Sequence, residues 1–525
     1  MLNNHGTSCW RKPASSPFFS QQSVLSLSFL AILIALAGSA GRAGASLEEL
    51  PSRVRRIELS NGLTALLVER HLFPTVSFHC FFPVGSLDDE PGRTGLAHMF
   101  EHMMFKGTRR VGVRDAAAEE GILEEIDRVA ARLREESAKG AEASQARLAA
   151  LRGRMEELNR RHEALIIPEE YWKIYEGAGA RGLNAGTGAD FTVYNVELPS
   201  NKIELWMAME SDRLARPVLR EFYKERAVVM EERRLRVDDS PFGKLWEAFT
   251  KAAFERHPYG QPTVGTMEDL NRLSRRDAER FYRRHYRLSS GVVAIVGDFK
   301  SDEVEKLLRR YFGPLRDPPL PSGGAPAAAR PAASLNGVVR VEVPFPAEPE
   351  ILVGYLRPPV GHRDEPALEA LGEVLDFGRT SRLYRGLVEG RRVAVEASVW
   401  TAEPGERDPC LFVLKASPRS PSGPGECLKA LDEEIADLQK RGPEEWELEK
   451  VKNNAEAQFL SSLASNSGLG WRLGYYEAVV GDWRYILNFL ERLRALEGKD
   501  VREAALKYLT PGRRVIAVRV RGEAR

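Results

Sequence analysis

A tract rich in proline, glycine and alanine divides the chain more sharply than any other feature of its sequence. Residues 314–335 read PLRDPPLPSGGAPAAARPAASL, a composition that packs neither as a helix nor as a sheet. We therefore predict a linker over 314–335, which joins a first half over 46–313 to a second half over 336–525. A chain of 525 residues is long enough for such a division into separately packed parts.

The two halves carry strand and helix signals in a related order. In each half, alternating strand patterns are followed by a helix, by further strands, by several helices and by a last apolar strand. The last strands read GVVAIVGDF in the first half and RRVIAVRVRG in the second. The sequence thus predicts an α+β fold of two homologous halves, each a mostly antiparallel sheet with helices packed on it.

The segment 114–165 interrupts this pattern in the first half. Apolar residues recur at intervals of three and four among dense Glu, Arg and Ala, and the run is broken near SAKGAEAS. We predict an inserted helical hairpin over 114–165 with a narrow apolar seam. Two interpretations stay open: a solvent-exposed decoration, and a hairpin packed on itself or on a partner.

The first 45 residues have the pattern of a secretory leader. Two basic residues, Arg11 and Lys12, precede the uncharged run VLSLSFLAILIALAG, and small residues around Ala43 and Ala45 offer a cleavage site. We predict a signal peptide over 1–45 and an exported protein, periplasmic or secreted, without a membrane span after cleavage. Retention of the apolar run as an N-terminal anchor is the alternative.

Charge and cysteine content exclude several classes of function. The chain has 76 basic and 75 acidic residues, so no overall field favours nucleic acid or an anionic membrane. Its four cysteines include no CxxC pair, so we predict neither a disulfide framework nor a cysteine-ligated zinc site.

The strongest chemical signal is the pentapeptide HMFEH at residues 98–102. On a helix, His98, Glu101 and His102 share one face. Two imidazoles four residues apart can hold one Zn²⁺, and the adjacent glutamate is placed to take a proton from water as general base. Two histidines are too few for a catalytic zinc site, so a third ligand must come from elsewhere.

With its surroundings, this motif resembles the family of pitrilysin, insulin-degrading enzyme and mitochondrial processing peptidase. The resemblance spans nearly all of the chain after the leader, through NGLTALL, GLAHMFEHMMFKGT, GLNAGTGADFTVYNVELP, ERAVVMEERR and HPYGQPTVGTMEDL. It implies a zinc endopeptidase with one Zn²⁺ per chain and a peptide substrate. The second half would be an inactive, peptidase-like half.

The resemblance also implies roles for residues outside HMFEH. It gives Glu232 as the third zinc ligand and Glu225, seven residues earlier on the same helical face, as a support for a ligand. Glu231 lies about 100° away round the helix, which favours Glu232. Substrate-binding residues would be Asn184 and Ala185, on a strand that pairs with peptide backbone, and Tyr194. Without the resemblance, ERAVVMEERR is typical of a surface helix.

One departure from the family concerns an arginine and a tyrosine, seven apart, that hold the substrate carbonyl in members that act alone. Alignment on SRLY puts Val388 and Val395 at these positions, and neither side chain can donate a hydrogen bond to an oxyanion. Arg391 and Arg392 are nearby but out of register. The resemblance then implies a homologous partner subunit that supplies the Arg/Tyr pair. The alternatives are a non-catalytic scaffold or assembly subunit, and a binding role of the hairpin in addition to either.

Overall fold

Two β-sheets, one on each side of the Pro/Gly/Ala tract, are the framework of the computed structural model. The structure describes residues 49–320 and 330–522. The signal-peptide prediction lies outside these residues. The residues described on either side of the gap, 314–320 and 330–335, belong to no helix or strand.

The sheet of the first half has six strands within residues 49–320, in the order β1-β2-β6-β3-β5-β4. Neighbouring strands are antiparallel except β2 and β6. The central strand β6 is buried along its whole length, which explains its unbroken apolar sequence. The strands are β1 Val54–Glu58, β2 Thr64–Glu69, β3 Thr75–Phe82, β4 Arg181–Thr187, β5 Thr192–Pro199 and β6 Val292–Gly297.

The sheet of the second half repeats five of these strands in the same order. Within residues 330–522 the order is β7-β11-β8-β10-β9, again antiparallel except for one parallel pair, β7 and β11. The predicted α+β fold of two related halves is therefore confirmed. The strands are β7 Val338–Phe345, β8 Glu350–Arg357, β9 Ala394–Glu403, β10 Cys410–Pro418 and β11 Arg514–Arg521.

Helices connect and cover both sheets. In the first half they are α1 Leu50–Arg53, α2 Leu96–Met103, α3 Ala116–Ser137, α4 Gln145–Glu163, α5 Glu170–Gly177, α6 Ile203–Ala215, α7 Phe222–Arg233, α8 Pro241–Ala253, α9 Met267–Arg272, α10 Arg275–His285 and α11 Ser301–Tyr311. In the second half they are α12 Glu365–Asp376, α13 Pro424–Arg441, α14 Glu445–Ala464, α15 Asn466–Tyr475, α16 Tyr485–Arg494 and α17 Gly498–Tyr508. None of the helices in the described part of the chain is long and apolar enough to cross a membrane.

The predicted hairpin is present as α3 and α4. Side chains of Asp115 and Ser144 cap the two helices, and the hairpin closes where the Arg114 amide donates to the Leu165 carbonyl at 2.9 Å. Its seam buries Ile122, Ile126, Val129 and Leu158. The second half has no counterpart between α12 and β9 in its described residues, only the π-helical segment Tyr384–Gly390. The comparison of the two halves thus supports the interpretation of α3 and α4 as an insertion in the first half.

Each half contributes one helix to the other half's sheet. From Pro51 onward the chain forms one compact unit. Within it, α8 of the first half packs on β7 and β11, and α15 of the second half packs on β3 and β6. Glycines permit this close approach: a Cβ at Gly474 would lie 2.5 Å from the Phe81 ring, and one at Gly354 would lie 2.6 Å from the Phe249 ring. In chain order they correspond, since α8 is the third α-helix after β5 and α15 is the third after β10.

Candidate metal centre

Helix α2 is fixed at its N-terminus and along its apolar face. Gly95 precedes it with φ 86°, and the buried Asp89 carboxylate accepts the amides of Gly95 at 2.7 Å and Ala97 at 2.9 Å. The apolar side chains that anchor the helix in the core are Leu96, Met99, Phe100 and Met103. This anchoring leaves His98, Glu101 and His102 on the opposite face.

Helix α7 brings a carboxylate to this face. Glu232 Oε1 lies 3.7 Å from His98 Nε2, and Glu232 Oε2 lies 3.5 Å from His102 Nε2. The three ligand atoms lie within 4.8 Å of one another. Ligands bound to Zn²⁺ at about 2.0–2.2 Å in a tetrahedral site are about 3.3–3.6 Å apart, so these residues fit the ion.

The electrostatic surroundings act in opposite directions on the two histidines. Burial lowers the pKa of His98 to about 3, so that the ring is neutral, as metal binding requires. Burial opposes charge on His102 as well, but hydrogen bonds to Glu225 and Glu232 raise its pKa to about 10, so a metal ion at this ring would displace a proton. Burial also opposes the charge of Glu232, yet contacts with His102, His98 and Arg236 lower its pKa to about 2.

Glu225 lies behind His102. Its Oε1 is 2.9 Å from His102 Nδ1, and its Oε2 is 2.6 Å from Lys106 Nζ. These contacts outweigh burial and lower the pKa of Glu225 to about 2. A carboxylate on Nδ1 leaves Nε2 facing Glu232, as the supporting role predicted for Glu225 requires, and that role stays a prediction.

The two other glutamates of the motifs differ in their surroundings. Glu101 accepts a hydrogen bond at 2.6 Å from Thr187 Oγ1, at the end of β4, and burial raises the pKa of Glu101. Glu231 is 55 % exposed and pairs with Arg234 instead. The structure therefore brings His98, His102, Glu232, Glu225 and Glu101 together, and it leaves Glu231 at the surface.

The predicted substrate-binding residues are divided between the surface and the core. Asn184 is exposed and Ala185 is buried on β4, the edge strand beside α2. Tyr194 lies in the core, 5 % exposed, with its hydroxyl 3.2 Å from that of Tyr286 and the Arg213 guanidinium over its ring. The roles of all three toward a substrate stay predictions.

Val388 and Val395 lie in the second half, on the π-helical segment and on β9. Val395 is 54 % exposed. The nearby Arg391 is held by Glu433 at 2.9 Å and Glu434 at 2.6 Å. Arg391 is thus already paired with carboxylates of its own half.

Sequence reasoning missed three residues that contact the centre. Lys106 follows His102 by four residues, and Arg236 follows Glu232 by four and pairs with its Oε1 at 2.7 Å. The helical i, i+4 rule could have found Arg236, but Lys106 lies beyond the end of α2 and pairs with Glu225 on α7. No local signal marks Thr187, because its contact with Glu101 joins a strand to a helix 86 residues earlier.

Comparison with protein families gives two matches. The model described as "Insulinase (Peptidase family M16)" matches residues 65–134, which contain HMFEH. The model described as "Peptidase M16 inactive domain" matches residues 272–455, which include the tract and much of the second half.

Individual proteins similar to this chain carry related names. A Helicobacter pylori protein named zinc protease PqqE is 25 % identical over 86 % of this chain and 89 % of its own length. An uncharacterized zinc protease of Streptomyces coelicolor is 26 % identical over 88 % of each.

Solved structures share the fold. A protease from Helicobacter pylori superposes with a TM-score of 0.73 at 24 % identity, over 89 % of this chain and 99 % of that one. The first half of the periplasmic protease PqqL from Escherichia coli gives a TM-score of 0.64 at 18 % identity, over 89 % and 92 %.

Proposed function

We propose that this chain is a zinc metalloendopeptidase that hydrolyses peptides or short unfolded polypeptides. Two family models of the M16 peptidases match parts of its sequence. The observation that carries the proposal is the convergence of His98, His102 and Glu232, whose ligand atoms lie within 4.8 Å of one another. Glu101 stands on the same helical face. The names of the two relatives, both zinc proteases, support the assignment.

The residues of the centre have separate tasks in the proposed hydrolysis. A zinc ion bound there would act as a Lewis acid toward the scissile carbonyl and would acidify the attacking water. Glu101 takes the proton of the attacking water and delivers it to the leaving amine. Glu225 keeps His102 in the tautomer that presents Nε2 as a ligand.

The edge strand β4 is the proposed docking strand for the substrate. Within residues 49–320 β4 is an edge strand of its sheet and contacts α2, so a peptide added to its outer edge would lie close to the metal ligands. Backbone pairing around Asn184 and Ala185 binds an extended segment with little selection among side chains. This mode suits unfolded polypeptides.

We assign this chain the metal-bearing place in a heteromeric enzyme. Val388 and Val395 provide no hydrogen-bond donor for an oxyanion, and Arg391 is engaged by two glutamates. A homologous partner that carries the arginine and the tyrosine would complete the site. The description "inactive domain" for residues 272–455 fits a second half without the metal motif, since HMFEH lies outside that segment.

Export belongs to the same proposal. The leader pattern of residues 1–45 supports it, and the similar PqqL structure is titled a periplasmic protease.

Zinc content and peptide hydrolysis of the purified full-length protein test the proposed function. We expect one zinc per chain, weak cleavage of unstructured peptides by the chain alone, and a sharp rise when the partner is added. A chelator should abolish the cleavage. Glu101→Gln is the matched control, because it should keep zinc and lose on the order of a hundredfold or more in rate.

Zinc binding without hydrolysis, with or without the partner, would favour the scaffold alternative. Full activity of the chain alone, unchanged by any partner, would refute the heteromeric part of the proposal and leave the zinc peptidase intact.

A further inference from the structure

The Glu101 carboxylate receives one hydrogen bond from the described part of the chain. Thr187 Oγ1 donates to Glu101 Oε2 at 2.6 Å. No other hydrogen bond from these residues reaches the carboxylate. The orientation of the proposed base therefore depends on one hydroxyl.

That hydroxyl is itself held in place. Thr187 and Thr192 are cross-strand partners at the last pair of β4 and β5, and their Oγ1 atoms lie 3.3 Å apart. Thr192 is fully buried and donates its proton to the Val84 carbonyl at 2.8 Å. Thr187 also has a single proton, and it goes to the Glu101 carboxylate at 2.6 Å rather than to the Thr192 hydroxyl at 3.3 Å.

The turn after Thr187 is anchored by the second half. Asp190 Oδ2 accepts the amides of Glu406 and Arg407, and its Oδ1 accepts the Tyr259 hydroxyl at 2.6 Å. The Arg407 guanidinium also donates to the Asp190 carbonyl at 3.2 Å. The second half thereby fixes the end of β4.

We infer that Thr187 is a positioning residue that links the docking strand to the general base. Thr187 lies two residues beyond Ala185 on β4, so the strand proposed to receive substrate also carries the hydroxyl that aims Glu101. This inference rests on the proposed zinc peptidase. The geometry of Glu101 depends on a hydroxyl outside the ligand set.

The second half contains a matched contact without the histidines. Thr401 Oγ1 on β9 donates at 2.5 Å to Glu369 Oε2 on α12, the helix and edge strand equivalent to α2 and β4. Pro366 and Ala370 stand where His98 and His102 stand relative to the glutamate. Removal of the Thr401 hydroxyl therefore shows what the loss of such a threonine–glutamate hydrogen bond does to the protein where no metal ligands are nearby among the described residues.

The test compares Thr187→Val, Thr187→Ser and Thr401→Val in the full-length protein, with its partner present if the wild type requires one. Thr187→Val should keep zinc affinity, judged by chelator competition, and should lower kcat on the order of tenfold to a hundredfold with little change in KM. Thr187→Ser should recover most of kcat, since it restores the donor. Thr401→Val should leave kcat unchanged.

Crystal structures of zinc-loaded wild type and Thr187→Val provide a readout without activity. We expect the Glu101 carboxylate to leave its wild-type position in the valine variant. A wild-type kcat and an unmoved Glu101 would overturn the inference. If the wild type hydrolyses nothing, the proposed function fails, and the position of Glu101 still decides whether Thr187 holds it.

Discussion

Glu231 and Glu232 are adjacent and chemically identical, but the fold gives them opposite surroundings. Glu232 faces two imidazoles, and Glu231 pairs with Arg234 at the surface. Helical rotation separates the two carboxylates by about 100° per residue. The difference makes the pair a direct test of the ligand set.

We expect Glu232→Gln to lower zinc affinity by at least about a hundredfold, because the amide replaces an anionic ligand, whereas Glu231→Gln should keep wild-type affinity. Equilibrium competition with a chelator measures both. Comparable losses in the two variants, or a loss confined to Glu231→Gln, would show that the third ligand is misassigned.

The residues that could be predicted at this scale are those on one helical face. The spacing of His98, Glu101 and His102 predicts their grouping, since it depends on one helix. Glu232 needed the family resemblance, because a contact between α2 and α7 leaves no periodic trace in the sequence. The burial of Tyr194 was beyond the sequence for a similar reason: β5 is an inner strand, and strand order is a long-range property.

At the scale of elements, the inserted hairpin is tied to the metal-bearing helix. Glu119 of α3 receives Arg220 Nε at 2.8 Å and lies 2.9 Å from His162 Nε2 of α4. Arg220, 1 % exposed, precedes α7 and also donates to the Thr108 carbonyl at 2.7 Å, in the loop after α2. The contact favours packing on the chain over pure decoration.

Glu119→Ala should destabilise the protein by about 3–5 kcal/mol, because it leaves the Arg220 guanidinium buried without its carboxylate. The control is Glu125→Ala on the same helix, where the lost pair with Arg154 is 32 % and 36 % exposed and its loss should have little effect on stability. Denaturant unfolding measures both. Equal small effects would mean that the hairpin is not part of the core.

At the scale of the whole molecule, the packing of α8 and α15 on the sheet of the opposite half depends on glycine residues at the contacts. Gly474→Ala should destabilise the protein by about 1–3 kcal/mol, because its Cβ would lie 2.5 Å from the Phe81 ring. The matched change Gly153→Ala, at an open position inside α4, should stabilise it by roughly 0.5–1 kcal/mol. Thermal unfolding compares the two. If Gly474→Ala left the stability unchanged, α15 would be able to move away from the Phe81 ring without cost.

Glu403 and Glu406, at and just beyond the end of β9, make the stability of the protein depend on pH, and Glu406 accepts a hydrogen bond from Tyr475 of α15. Desolvation raises the pKa of Glu406 to about 7 and that of Glu403 to about 8, from an ordinary value of 4.5. At pH values between the ordinary pKa of 4.5 and these raised values, the two carboxyl groups of the folded protein keep protons that the unfolded chain has lost. The unfolded state then binds fewer protons, so stability should fall as pH rises from about 5 to about 8.

Replacement of both residues by glutamine should flatten this decline, as measured by denaturant unfolding across the pH range. A slope that persists unchanged in the double variant would assign the pH dependence to other groups.

The layout of the halves was predictable because alternation and the Pro/Gly/Ala tract are local features. Their mutual packing was not. The close approach of α15 to β3 joins residues almost four hundred positions apart, as between Gly470 and His79, and neither sequence periodicity nor composition records it.

The reciprocal placement of α8 and α15 also bears on what a cut in the chain can do. Each half completes its core with a helix that belongs to the other, so neither half has a whole interior of its own. A protease that severs the backbone between the halves would produce two fragments that stay assembled as one particle. They should separate only in denaturant, and fragments expressed alone should be poorly soluble unless produced together.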